Sequence, residues 1–443
     1  MKTPTQRLTA VKILTKIYCV FFRTADFSKR SRPILFFALS HSESSNVMKK
    51  EFYAPGRQVA VLGGGQLGTM MATAAQALRI NIHCLDPSLD APAAYNAQGF
   101  AEGEFTDRHT VEAFGRNAEV ATIEIEKVSV DGLKALRDKH GVAVHPRPEA
   151  LELIQDKGLQ KEFYRKENYP TAPYQLWNSA ADIKAAFLST SSRQAGKTQL
   201  TLPFVQKSRK GGYDGKGVHV VRTEADLNEL LEGPSLTEDF APLDIEIAVV
   251  AARNPSGQTS TFPVVEMDFD PKQNLVTQLI SPARISKQVA DEARAIAGRL
   301  IEQLDICGLL AVELFLLKDG SLWVNEVAPR PHNSGHISMN GFATSQFEQH
   351  LRGILDLPLG STQQYRPAVM VNLLGEEGAT GPAVYRGLEE VIALPGVHVH
   401  LYGKTITKPH RKMGHVNIVA DTLEEALALA EKVRNTLSAT TNA

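Results

Sequence analysis

Cysteine is scarce in this chain: Cys19, Cys84 and Cys307 stand far apart among 443 residues. That number and spacing exclude a disulfide framework and a cysteine-based metal knuckle, and imply a reducing compartment. Net charge is almost absent too, at −1 from 48 Lys/Arg against 49 Asp/Glu. A chain so balanced has no electrostatic basis for nonspecific nucleic-acid binding or for lying on an anionic membrane. No apolar run reaches the length of a membrane span, and there are neither internal repeats nor low-complexity tracts. What is present, 43% hydrophobic and 22% charged residues, is ordinary for a cytoplasmic globular protein of two to four domains.

The charge is unevenly spread. Residues 1–47 hold 8 Lys/Arg and 2 Asp/Glu, which leaves the remainder at −7. A basic, acid-poor segment fits an organellar transit peptide. The simpler expectation is that translation begins at Met48, so residues 1–55 are set aside as an N-terminal extension, disordered or not native.

The densest chemistry lies in residues 311–336, AVELFLLKDGSLWVNEVAPRPHNSGH. Two apolar runs flank Asp319-Gly320, the signal for a two-residue type I′ hairpin. Folded about that turn, Lys318 faces Ser321, Leu314 faces Asn325 and Glu313 faces Glu326. Two carboxylates directly opposite on adjacent strands repel. A divalent cation between them reverses the sign, and hard oxygen ligands suit Mg²⁺ carrying substrate phosphates. Two exposed glutamates would be the plain alternative, but each interrupts a strand rich in buried residue types. Arg330, His332, Asn333 and His336 follow in a loop rich in Pro, Gly and Ser, which together with the paired carboxylates points to an active site.

Two glycine loops precede this hairpin. In the first, the strand Gln58–Leu62 runs into GGGQLG, where Gly63, Gly65 and Gly68 give G-x-G-x-x-G before a small-residue helix. This is a Rossmann-like βαβ opening. Its glycines permit close approach of any phosphate, or simply a tight turn. Further βα alternation places Glu124 and Glu126 at the end of a strand over residues 120–125. Pro146 and Pro148 mark a boundary, and residues 149–168 read as one helix containing Lys157. A strand over residues 202–207 then enters SRKGGYDGKGVHVV, the second glycine loop. It lies between two strands, so it is no Walker A loop and suits instead a cationic hairpin over a nucleotide triphosphate. Strands are expected at residues 235–239, 243–250 and 261–267, an amphipathic helix at 286–304, and a final helix at 423–437.

The motifs GGGQLG (63–68), GGYDGKG (211–217), NEVAPRPHNSGH (325–336) and RKMGHVN (411–417) resemble, in order and spacing, those of the ATP-grasp superfamily. Within it the likeness is to N5-carboxyaminoimidazole ribonucleotide synthase, the ATPase subunit of phosphoribosylaminoimidazole carboxylase in purine biosynthesis. The resemblance implies an α/β (α+β grasp) chain. It would have a Rossmann-like pre-ATP-grasp domain (56–150), a two-lobed ATP-grasp (151–360, lid lobe about 170–240) and a small β-rich C-terminal domain (361–443).

Carried over by position, it implies ATP contacts from Lys157, Lys207, the lid Gly212-Tyr213-Asp214-Gly215-Lys216-Gly217, the adenine hinge Glu238-Asp239-Phe240-Ala241, Glu246, Asn325 and Glu326. Glu313 and Glu326 would ligate Mg²⁺, or Mn²⁺. Aminoimidazole ribonucleotide would meet Tyr213, Arg330, His332 and Asn333, with Lys404 and Arg411 on its phosphate and Gln66 and Glu124 as further contacts by analogy. Asp214, His332, Arg330 and Asn333 would be catalytic, with Asp214 or His332 accepting the amine proton. Thr69 and Phe269 depart from the family, which often has a basic residue and a nucleotide-contacting His there.

The implied reaction is ATP- and bicarbonate-dependent N-carboxylation through carboxyphosphate, in a homodimer that works beside a separate mutase. A formate-dependent glycinamide ribonucleotide transformylase and an NAD-dependent dehydrogenase on the first glycine loop are the rival expectations.

Overall fold

Strand β1 (Gln58–Leu62) is the middle strand of a five-stranded parallel sheet ordered β3-β2-β1-β4-β5. Its partners are β2 (Asn81–Asp86), β3 (Gly99–Glu102), β4 (Val120–Ile123) and β5 (Ala143–Val144). QVAVL is almost wholly apolar because both faces of such a sheet are covered. Val59 and Val61 pack against α1 (Gln66–Ala75), while Ala60 and Leu62 share a cluster with α2 (Arg108–Gly115) and α3 (Val130–His140). The computed structural model describes residues 53–188, 200–212, 217–270 and 275–442. The expectations for residues 1–52 and the lid residues Tyr213, Asp214, Gly215 and Lys216 lie outside the described residues.

Residues 149–168 do not form the single helix expected from their pattern. They form α4 (Pro148–Ile154) and α5 (Lys157–Lys166). Gln155 ends the first and Asp156 caps the second, its carboxylate accepting from the backbone N–H groups of Gly158 at 2.9 Å and Leu159 at 3.3 Å. That cap satisfies donors a continuous helix would bond internally. A four-stranded antiparallel sheet follows, ordered β6-β9-β7-β8. It consists of β6 (Tyr174–Trp177), β7 (Phe204–Ser208), β8 (Val218–Val221) and β9 (Ser235–Asp239), with α6 (Ala180–Leu188) over its small core.

The largest sheet has nine strands, ordered β15-β14-β10-β12-β13-β16-β20-β18 with β11 beside β10. Six of these are β10 (Leu243–Arg253), β11 (Thr259–Thr261), β12 (Val265–Asp270), β13 (Leu275–Ser281), β14 (Gly308–Leu317) and β15 (Leu322–Ala328), and β16 (Ala368–Leu374), β18 (Val397–Leu401) and β20 (Lys412–Val419) complete the nine. The expected strand at residues 261–267 is thus two strands, parted around Pro263, which cannot donate to a ladder. Strand β13 was not anticipated. Helix α7 (Lys287–Gln303) covers one face of β10 and β14 through Ala293, Ile296, Ala297 and Leu300.

After α8 (Ser338–Gly341) and α9 (Gln346–Ile354), β16 (Ala368–Leu374) joins β13 and so carries the same sheet into the C-terminal region. There follow β17 (Gly381–Arg386), α10 (Leu388–Ile392), β18 (Val397–Leu401), β19 (Ile406–Thr407), β20 (Lys412–Val419), α11 (Leu423–Thr436) and β21 (Ser438–Thr441).

Candidate active site

The carboxylates expected to face each other do so: Glu313 of β14 pairs with Glu326 of β15. The route to that pairing differs in two respects. The turn is a three-residue loop, with Gly320 N donating to Leu317 O and Leu317 N to Ser321 O, both at 2.9 Å. Only Gly320 has positive φ, at 85°, whereas a type I′ turn needs positive φ at Asp319 as well. Lys318 therefore does not face Ser321. The register shifts again between Glu313 and Leu314, so Leu314 faces Val324 and not Asn325.

Asn325 is the extra residue of a β-bulge, and the two offsets cancel at Glu326. The cause is apolar spacing. Val324 and Val327 both belong to the cluster under α7, so the two residues between them must both turn to the opposite face. A bulge is how a strand with period two achieves that.

That opposite face is the site. Glu246 of β10 lies on it, two residues from Ala248, the partner of Glu313 across β10 and β14. Burial pushes the Glu313 carboxyl up to about 8, with Glu326 and Glu246 adding to the rise. Burial also pushes Glu246 up to about 7, against the pull of Lys207. Three cations answer these charges. Lys157 Nζ lies 2.6 Å from Glu326 Oε1. Lys207 Nζ lies 2.7 Å from Glu238 Oε2 and donates to Asn325 Oδ1 at 3.0 Å. Lys161 Nζ lies 2.7 Å from Glu238 Oε1.

Lys157, Lys207, Glu238, Asn325 and Glu326 are therefore brought together as expected. Glu238 is buried and paired to two lysines, and Asp239, Phe240 and Ala241 join the lid sheet to β10. The Phe240 ring is 41% exposed and lies under the Arg222 guanidinium, 5.3 Å from its centroid. At the other lid boundary, Ser208 N donates to Gly217 O at 2.8 Å, which closes the base of the second glycine loop beside Gly212.

The loop after β15 lies against the pre-grasp sheet. Arg330 Nη2 is 2.8 Å from Glu126 Oε1, and Arg330 Nε has no partner among the described residues. His332 Nε2 lies 3.4 Å from Glu313 Oε1, while its Nδ1 accepts from Ser334 N at 3.3 Å. That acceptance assigns the ring proton to Nε2. Asn333 Nδ2 is buried and has no partner among the described residues.

His336 does not face the cleft. It is buried between Phe347 and His415, and its Nδ1 is 2.9 Å from Gln346 Nε2. Gln346 also accepts from His332 N at 2.9 Å and donates to His332 O at 2.8 Å, so one side chain fixes the loop. Lys404 donates to Lys412 O at 2.7 Å and Arg411 to Ile406 O at 2.5 Å. Both thus hold their own turn, and the cations felt by His332 are Arg330 and, more weakly, Lys412.

In the first glycine loop, Gly65 N and Gly68 N each donate at 2.5 Å to one oxygen of Glu124. Gln66 starts α1 beside them. A Cβ on Gly63 would lie 2.3 Å from Glu124 Cγ. The carboxylate thus takes the backbone donors that would bind a dinucleotide pyrophosphate, which removes the dehydrogenase reading. Of the family departures, Thr69 Oγ1 is buried without a partner among the described residues. Phe269 packs against the cluster of Met267 and Leu279.

Lys161 and Lys412 were missed from sequence. Lys161 had a signal, since it lies one turn from Lys157 on the same helix face.

A lid sheet and a larger sheet meeting over paired glutamates and lysines define the ATP-grasp class. Residues 57–155 match the ribonucleotide synthetase preATP-grasp domain, 162–347 the ATP-grasp domain, and 368–429 the phosphoribosylaminoimidazole carboxylase C-terminal domain. The N5-carboxyaminoimidazole ribonucleotide synthase of Bacillus subtilis is 36% identical over 383 residues, 85% of this chain and 95% of the relative. The phosphoribosylaminoimidazole carboxylase of Candida glabrata is 38% identical over 83% of this chain, which spans 64% of that longer relative. The crystal structure of the Aspergillus clavatus N5-carboxyaminoimidazole synthase, in complex with ADP and 5-aminoimidazole ribonucleotide, superposes with TM-score 0.76 at 31% identity, covering 86% of this chain and 98% of that one. The chain belongs to the N5-carboxyaminoimidazole ribonucleotide synthase family of ATP-grasp enzymes.

Proposed function

We propose that this chain is an ADP-forming ligase of purine biosynthesis that carboxylates the exocyclic amine of 5-aminoimidazole ribonucleotide with ATP and bicarbonate. Family membership carries the reaction, and the facing pair Glu313–Glu326 carries the placement of its phosphoryl-transfer half. A bicarbonate oxygen attacks the γ-phosphorus, the bond to the β-phosphate oxygen breaks, and ADP leaves. The amine nitrogen then bonds to the carboxyphosphate carbon, phosphate departs, and the nitrogen loses a proton. Such transfers need positioning and charge neutralisation more than covalent help. Lys157, Lys207 and the glycine lid supply both, with the lid keeping water from a hydrolysable intermediate.

Glu313 and Glu326 fit Mg²⁺ or Mn²⁺. Two carboxylates face each other, and one of them is pushed up to about 8, so a cation would replace the proton the pair otherwise shares. Among the described residues no cluster of three or more His, Cys, Asp or Glu could hold a metal, so phosphate oxygens and water would complete the shell. The ion supplies charge for the β- and γ-phosphates.

Arg330, Asn333 and His332 face the substrate side, with Lys404 and Arg411 shaping the turn for its phosphate and Glu124 holding the loop that presents Gln66. With Ser334 donating to its Nδ1 and its Nε2 proton toward Glu313, His332 has no nitrogen left for the amine proton. Asp214 is the acceptor that remains. The protein works in the cytoplasm as a homodimer, and a separate mutase moves the carboxylate to carbon.

The test is ADP release with MgATP and bicarbonate. The expected result is stimulation by 5-aminoimidazole ribonucleotide and its loss in Glu326→Ala. Stimulation by glycinamide ribonucleotide with formate instead would overturn the assignment.

A further inference from the structure

Lys161 has no place in the roles above, yet its ammonium is among the most buried charges of the described residues, with its side chain 4% exposed. It lies on α5 one turn from Lys157, so both reach the cleft from one face of that helix. Besides approaching Glu238 Oε1 at 2.7 Å, it donates to Thr171 Oγ1 at 2.5 Å. The Thr171 hydroxyl in turn donates to Val324 O at 2.7 Å, and Val324 immediately precedes the bulged Asn325. From Asn325 the path returns through Lys207 Nζ at 3.0 Å and Glu238 Oε2 at 2.7 Å. These contacts close a ring around the junction of α5, the lid strands β7 and β9, the chain entering β6, and the carboxylate hairpin.

We infer that Lys161 is a positioning residue that sets the charge Lys207 presents to the nucleotide phosphates. The inference rests on the nucleotide reading of the cleft. Two ammoniums share one carboxylate, so the group carries a net single positive charge. Lys207 is also aimed, since among the described residues Glu238 and Asn325 engage two of its three N–H groups and leave one for a phosphate oxygen. Without Lys161, Glu238 would cancel Lys207 alone, and the group would present no net charge to an anion. Protonation fits the arrangement. Glu238 is drawn down to about 2 by the two lysines despite its burial, and burial lowers Lys161 to about 8 with Lys207 and Lys157 adding to the fall.

The experiment is a charge-compensation cycle on the full chain with Lys161→Met, Glu238→Gln and the double variant. Binding of MgADP is measured by calorimetry, and KM is measured for ATP and for 5-aminoimidazole ribonucleotide. Lys161→Met is expected to weaken MgADP binding about ten-fold or more, about 1.4 kcal/mol, while KM for the ribonucleotide stays within about two-fold. The double variant is expected to bind better than Lys161→Met, because Lys207 regains its uncancelled charge. A Lys161→Met protein that binds MgADP like the wild type, or losses that simply add in the double variant, would sink the inference. If Lys161→Met does not fold, Lys161→Gln takes its place in the cycle. Wild-type protein that ignores MgADP would instead count against the nucleotide reading itself.

Discussion

The His350 imidazole is fully buried, its Nε2 2.9 Å from Thr122 Oγ1, and burial pushes it down to about 3. The unfolded chain titrates the same group near 6.5. Between those values the unfolded chain binds a proton that the folded protein does not, so stability is lost as pH falls from the unfolded value toward the folded one. His350→Gln can keep the bond to Thr122 without titrating. It is expected to lose less stability than wild type between about pH 7.5 and about pH 5, read from urea midpoints. Equal losses in both proteins would show that His350 does not contribute. At this scale the sequence was most informative where a residue's partner lies close along the chain. Glu313 and Glu326 could be paired on paper because one short turn separates them. The burial of His350 against a strand of the pre-grasp sheet, or of Lys161 against Glu238, depends on packing between distant segments, and no local pattern records it.

The hairpin of β14 and β15 teaches a different lesson. A two-residue turn without a bulge and a three-residue turn with one place Glu313 opposite Glu326 alike, so the sequence reading reached the right pair through two errors that cancel. Only Asn325 distinguishes the two, and the apolar spacing of Val324 and Val327 was the available signal. The bulge is functional in consequence, since it sets Asn325 beside Lys207. Asn325→Ala should retain the fold, because its neighbours Val324 and Val327 still face α7. It should lower kcat/KM for ATP about ten- to hundred-fold through misplacement of the lysine. Steady-state kinetics against ATP decides this, and an unchanged kcat/KM would remove Asn325 from the site. The break between α4 and α5 was also written in the sequence, as an Asp ahead of a helical run, but the strong charge pattern on both sides masked it.

Over the whole molecule, the sheet that carries the carboxylates continues through β16 and β20 to β18, so the C-terminal region shares the backbone framework of the catalytic lobe. That continuity was not legible, because strand pairing across long intervals leaves no trace in periodicity. The pre-grasp sheet was legible as a Rossmann-like opening, yet its glycine loop already contains a carboxyl group, which burial pushes up against the pull of the Gly68 and Gly65 N–H groups. Glu124 behaves as a tethered competitor. Held on the adjacent strand, its carboxylate meets the donors of Gly65 and Gly68 at an effective concentration on the order of mM or above, which free anions in solution rarely match. A dinucleotide fingerprint can thus persist in a chain while its binding capacity is spent internally. Cutting the tether should restore that capacity. Inorganic phosphate is expected to raise the melting temperature of Glu124→Ala by more than that of the wild type, in which only the phosphate sites common to both proteins respond, whereas equal responses would mean that the donors were never occupied.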